Sequence, residues 1–146
     1  MLKLLSLHFG LGVISVAINY LLVPNSIRWV LCILFSILYF VAGVFSTKKA
    51  ALAAAPIISL LPFLSRLIQI ILGSIMFSHK IISDLTIIPY GGSYAFTLAT
   101  VDLLYTGHPV SAWIIRILGY LSPGILILIG YLLKKASCNK NETSAM

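Results

Sequence analysis

Residues 85–107 read LTIIPYGGSYAFTLATVDLLYTG, and whether this stretch crosses a membrane decides the architecture. It is apolar enough to enter a bilayer, yet Pro89-Tyr90-Gly91-Gly92 interrupts it and Asp102 lies near its end. A full crossing would bury that turn and a carboxylate where no water satisfies them. The preferred reading is an extended turn followed by a short helix over 93–106, with Ser93 as N-cap and Gly107 ending it. Such a helix lies on the membrane surface or dips in as a re-entrant element. A fifth full span is the competing reading.

Composition sets the class. The chain is 60% hydrophobic and only 9% charged, against about 25% charged residues in an ordinary soluble domain. Too few charges are available to cover so much apolar side chain in water, whereas lipid makes the composition sensible. The formal net charge of +7 brings no basic patch interleaved with aromatics, so a nucleic-acid partner is not expected. The excess is better read as topology information and as attraction to anionic headgroups.

Outside the ambiguous stretch, four spans follow from the hydrophobic runs: residues 4–23, 27–45, 51–77 and 110–133. About 20 residues cross a core near 30 Å at 1.5 Å each. Pro24-Asn25-Ser26 separates the first two with turn chemistry, and Ser46-Thr47-Lys48-Lys49 the next two. The third run is long and contains Pro56 and Pro62, which predicts a tilted or kinked helix with a first turn near the interface. Pro109 opens the fourth, and Lys134-Lys135 closes it. The first span exceeds the h-region of a cleavable signal and no A-x-A-like site follows it. The expectation is an all-α integral membrane protein. It consists of a four-helix transmembrane bundle, one domain over 1–135, with an additional short interfacial or re-entrant helix in the loop 78–109. A polar cytoplasmic tail over 136–146 completes the chain.

Charge placement orients the bundle. With the N-terminus inside, Lys3, Lys48, Lys49, Lys134, Lys135 and Lys140 fall on the inner side, and Arg28 and Lys80 on the outer. Six basic residues against two is the asymmetry of the positive-inside rule, and a fifth span would spoil it. Both termini are therefore expected in the cytoplasm, in a bacterial plasma membrane.

No catalytic motif appears. His8, His79 and His108 show no metal-ligand spacing, and no GxSxG, HExxH, P-loop or GxGxxG is present. No metal or cofactor is expected, and an enzyme is the weakest of the readings. Tyr90-Gly91-Gly92-Ser93 reads as a turn before it reads as an anion nest. Cys32 and Cys138 fall on different levels, so no disulfide joins them. Asn141-Glu142-Thr143 fits a glycosylation pattern but faces the cytoplasm on this topology.

Small and polar residues form a stripe on each span. The first carries His8, Gly12, Ser15 and Asn19; the second Arg28, Cys32, Ser36, Tyr39 and Gly43. The third has Ser59, Pro62, Arg66, Gln69 and Gly73, and the fourth Arg116, Gly119, Tyr120, Pro123, Gly130 and Tyr131. Spacings of three and four put each set on one helical face, with Leu, Ile, Val and Phe left for lipid. Much of this is ordinary close packing and interhelical hydrogen bonding. Ala51, Ala55 and Ser59 form a further small-residue row, suited to a neighbouring helix or another subunit.

Arg66 is the outlier. Taken inside to outside, it lies about 16 Å below residue 77, near the bilayer middle, and Arg116 about 9 Å below the outer start of its span. A cation at depth needs a partner, a wet cavity or a function. Arg66, Arg116 and Arg28 are expected to project into the outer half of one bundle with Gln69 and Asn19. Asp84 and Asp102 supply the ion-pair partners on that side, and even then the site stays cationic. Two functions follow. One is a transport or lipid-handling component whose arginines hold an anionic lipid or small anion, because the guanidinium fork grips such groups bidentately. The other is a non-catalytic subunit, immunity-type or assembly partner of another membrane protein. Either suits a homo-oligomer or a membrane-protein complex.

Overall fold

The computed structural model describes residues 1–20, 24–71, 88–91 and 109–143, with side chains described for 1–18, 24, 26–71, 88–91 and 114–138. The expected short helix over 93–106, together with Asp84, Asp102, His79 and His108, lies outside these residues, as does the Asn19 side chain.

All four long elements are α-helices: α1 (Leu2–Tyr20), α2 (Asn25–Val44), α3 (Lys48–Ile71) and α4 (Pro109–Thr143). Among the described residues, a 3₁₀ turn, Ile88–Tyr90, stands between α3 and α4 in the chain. Three stretches are long and apolar enough to cross a membrane: Ser26–Val44, Lys48–Ile71 and Ile114–Cys138. The described apolar part of α1, Leu2–Ile18, is shorter.

Local chemistry explains the boundaries. Pro24 precedes α2 at φ −55° and ψ 150°, an extended pose that a proline favours. At the other end the Ser46 amide and hydroxyl both donate to the Gly43 carbonyl, at 3.0 and 2.8 Å. The Thr47 hydroxyl then accepts the Ala50 amide at 3.3 Å, capping α3. This cap starts α3 at Lys48, three residues before the expected residue 51. Pro56 and Pro62 both lie inside α3, which continues as one helix through them. The carbonyls they leave without helical partners are tolerable in a membrane helix whose neighbours can satisfy them. The tail from residue 136 is helical, since α4 runs on past Lys134-Lys135 to Thr143. Lysine, alanine and serine are compatible with a helix, so the lysine pair marks a change of solvent and not a helix end.

Packing is organised around α4, which lies along both α2 and α3, while α1 is held chiefly by the 3₁₀ turn and α3. Glycine allows the closest approach. A Cβ on Gly43 would strike the Ile127 carbonyl, and one on Gly130 would strike the Phe40 carbonyl. These reciprocal contacts bring the two backbones together, as small residues do between membrane helices. Ala51 and Ala55 are buried against the chain itself, with the Ala55 carbonyl against Gly124. That row is used within the protomer, not between subunits.

The centre contains Leu11, Phe35, Tyr39, Ala54, Ile58 and Ile127, along with buried His8, Ser15 and Ser65. The outward faces are Val30, Ile33, Leu60, Leu67, Ile70, Leu118 and Leu132, all well exposed. An apolar exterior around a partly polar interior is the distribution that lipid imposes.

Candidate functional site

The buried turn is the first part of the site. The Gly91 amide donates to the Ile88 carbonyl at 3.0 Å, and Gly91 has φ +54°, where a Cβ is costly. Tyr90 and Gly91 are buried. They dock on the interior stripe of α1, whose His8, Gly12 and Ser15 face inward as their spacing requires.

Three contacts hold the turn there. His8 is fully buried, and its Nε2 lies 2.8 Å from the Pro89 carbonyl oxygen while its Nδ1 lies 2.8 Å from the Tyr39 hydroxyl. A carbonyl only accepts, so Nε2 carries the proton, and in the neutral ring Nδ1 accepts from Tyr39. His8 thereby ties α1, α2 and the turn together. Ser15 Oγ reaches two carbonyls, its own helix's Leu11 at 2.8 Å and Gly91 at 3.2 Å. Gly12 supplies the space, since a Cβ there would strike the Ile88 carbonyl. A Cβ on Gly91 would strike the His8 ring and the Tyr39 hydroxyl.

Counting along α1 gives the depth of the turn. Gly12 stands ten residues beyond Leu2, or about 15 Å along the axis, midway along α1. The Pro-Tyr-Gly turn docks at that height and is enclosed by protein there. It is acceptable because its carbonyls are met by His8 and Ser15, not by lipid.

Tyr90 carries the site outward. Its ring lies edge-on to Tyr120 at 5.4 Å, and Phe63 lies edge-on to the same Tyr120 at 5.1 Å, a favourable arrangement for aromatic quadrupoles. The Tyr90 hydroxyl points at Gln69 Oε1 from 3.4 Å, and Arg66 Nη1 donates to that same oxygen at 3.0 Å. Arg66 is thus half-buried and turned toward the bundle.

The continuous helices also revise its depth. Arg66 stands 18 residues beyond Lys48 (66 − 48), about 27 Å along α3. It lies in the last third of the described length of α3, far from the Lys48 end. Arg116 stands 18 residues before Lys134 (134 − 116) and Arg28 18 before Ser46 (46 − 28), so the three arginines share one level. All three are half-buried. Arg28 continues the face of buried Cys32 and Phe35, and Arg116 that of buried Tyr120 and Pro123. Arg66 follows buried Pro62 by one helical turn.

The structure therefore joins Arg66 to Gln69 on α3, with Arg28 at matching height on α2 and Arg116 on α4, the helix packed between α2 and α3. The Asn19 side chain, Asp84 and Asp102 lie outside what the structure describes. Tyr90 and Pro89 were not singled out as site residues, although the Pro-Tyr-Gly-Gly break in an apolar run was the signal for them. Chemically, the arrangement offers guanidinium and phenol donors above a packed aromatic floor, suited to holding an anionic group. His8 has both nitrogens engaged inside the fold, so it is a structural clamp. Among the described residues no three His, Cys, Asp or Glu gather as a metal ion would require. No family model, no curated protein and no solved structure matches this chain.

Proposed function

We propose that this protein is a four-span membrane protein of the transport or lipid-handling kind, with Arg66, Arg116 and Arg28 gathered around an anionic group in the outward-facing half. The observation that carries the reading is the convergence of Arg66 and Tyr90 on Gln69 Oε1. It links a turn at mid-depth to the arginine level. Non-helical backbone inside a membrane is tolerated where it is enclosed by protein or lines a cavity. Interrupted elements near the midplane are also how many transporters build their sites. The half-buried Arg66 guanidinium, anchored through one nitrogen to Gln69 Oε1, carries five donors in a planar fork that suits an anionic group.

α1 is taken as the fourth span. Its 19 residues reach about 28 Å, close to the hydrocarbon thickness. The lysine asymmetry puts both termini in the cytoplasm, in a plasma membrane of bacterial type. Asp84 and Asp102 belong with the outer arginines on this topology, and Asn19 lines the same half.

Gentle purification with identification of co-purifying lipids and proteins is the test. A retained anionic lipid or small anion, lost in Arg66→Gln and weakened in Arg66→Lys, is the expected result. Lysine keeps the charge but not the planar fork, so geometry and charge separate. A stoichiometric membrane-protein partner instead, with no anion retained, would replace this reading by the subunit or assembly-factor alternative.

A further inference from the structure

The opposite end of the bundle carries a second, independent feature. A cleft of about 400 Å³ opens between the start of α1 and the α2–α3 connection, walled by Lys3, Leu4, Leu7, Ala42, Phe45 and Ala50. This is the size range of small-ligand pockets. Its walls are mostly apolar, with Lys3, Ser46 and Thr47 as the polar lining residues, and Phe45 is 81% exposed. Lys48 and Lys49 follow Thr47 directly, and both are exposed, as is Lys3. The sequence contains no Asp or Glu anywhere in residues 1–83, so nothing on these three helices opposes that charge.

We propose that this cleft seats one anionic phospholipid from the lysine-side leaflet, with an acyl chain along Leu4, Leu7 and Ala42 and its phosphate at Lys3, Lys48 and Lys49. Apolar walls under a cationic rim match an amphiphile with a negative head. A soluble anion has no use for the apolar walls, and a zwitterionic lipid has little use for three lysines. Ala42 and Ala50 are small where the chain must pass, and the neighbouring faces are already those that meet lipid.

The test is native mass spectrometry of the full chain released from detergent, with added phosphatidylglycerol or phosphatidylcholine. The expected result is one phosphatidylglycerol held in preference to phosphatidylcholine. Lys3→Gln and Lys48→Gln should each weaken it about fivefold, the effect of one basic residue near an anionic surface. Ala42→Phe should fill the slot and abolish retention without removing any charge. Should that variant misfold, the two exposed lysine variants decide alone. Equal retention of both lipids, lysine variants that hold phosphatidylglycerol as the wild type does, or a second copy of the chain in place of lipid would each overturn the proposal.

Discussion

Glycine and histidine decide more than arginine does at the scale of single residues. Replacing His8 by Phe removes its hydrogen bonds to the Pro89 carbonyl and the Tyr39 hydroxyl, and loss of the donor to the Pro89 carbonyl alone costs about 1–3 kcal/mol. His8→Phe is therefore expected to lower the melting temperature in detergent markedly. Gln, which can both donate and accept, should recover part of the loss. A sharper comparison uses two glycines on one helix. Gly12→Ala forces a methyl into the Ile88 carbonyl and should destabilise by about 1–3 kcal/mol. Gly10→Ala meets nothing within 4 Å, so the better helix propensity of alanine should leave it neutral or up to about 1 kcal/mol more stable. Melting of the two variants side by side checks whether the turn is docked on α1. Equal effects would mean that it is not. Arg66 was legible in the sequence as an anomaly, because charge inside an apolar run needs an account. Its neighbour Tyr90 was not, since a spacing rule relates residues on one helix and says nothing of a turn arriving from elsewhere.

Among the elements, helices were legible and the turn was misread. The boundaries of α2 differ from the expected 27–45 by two residues or fewer, because proline and the Ser-Thr cap act locally. The fourth span was placed over 110–133, and the helix that carries it runs on to Thr143 because a lysine pair does not by itself end a helix. Pro-Tyr-Gly-Gly was assigned to the exterior because turn chemistry usually seeks water. Here side chains of α1 take the place of that water, and His8, Gly12 and Ser15 are the receptor that the α1 stripe already contained. The consequence can be measured by chemical access. A cysteine at Tyr90, in a chain with Cys138→Ser, should resist a water-soluble maleimide until the bundle is denatured. Native Cys32 is buried as well and sets the background. Rapid labelling of the Tyr90 position in the folded protein would place the turn at the surface.

The whole molecule is asymmetric: Lys3, Lys48, Lys49, Lys134 and Lys135 lie toward one end and the three arginines toward the other, with a buried turn between. Cys138 is exposed on α4 beyond Lys134-Lys135, which makes it a native reporter of orientation. A membrane-impermeant maleimide should fail to label Cys138 in intact cells and should label it in inverted vesicles. The reverse pattern would turn the bundle over and move the arginines to the cytoplasmic side.

The central claim, an anion held by the outer arginines, is tested most directly by melting the detergent-solubilised protein while titrating it with dihexanoyl phosphatidic acid. Sodium chloride at equal ionic strength serves as the control. A ligand bound only to the folded state raises stability by about 2.7 kcal/mol at a hundred times its dissociation constant. The wild type should therefore show a saturable rise in melting temperature that chloride does not reproduce. Arg66→Gln should show none, and Arg66→Lys a smaller one. An equal rise in wild type and Arg66→Gln, or no rise beyond that given by chloride, would contradict the claim.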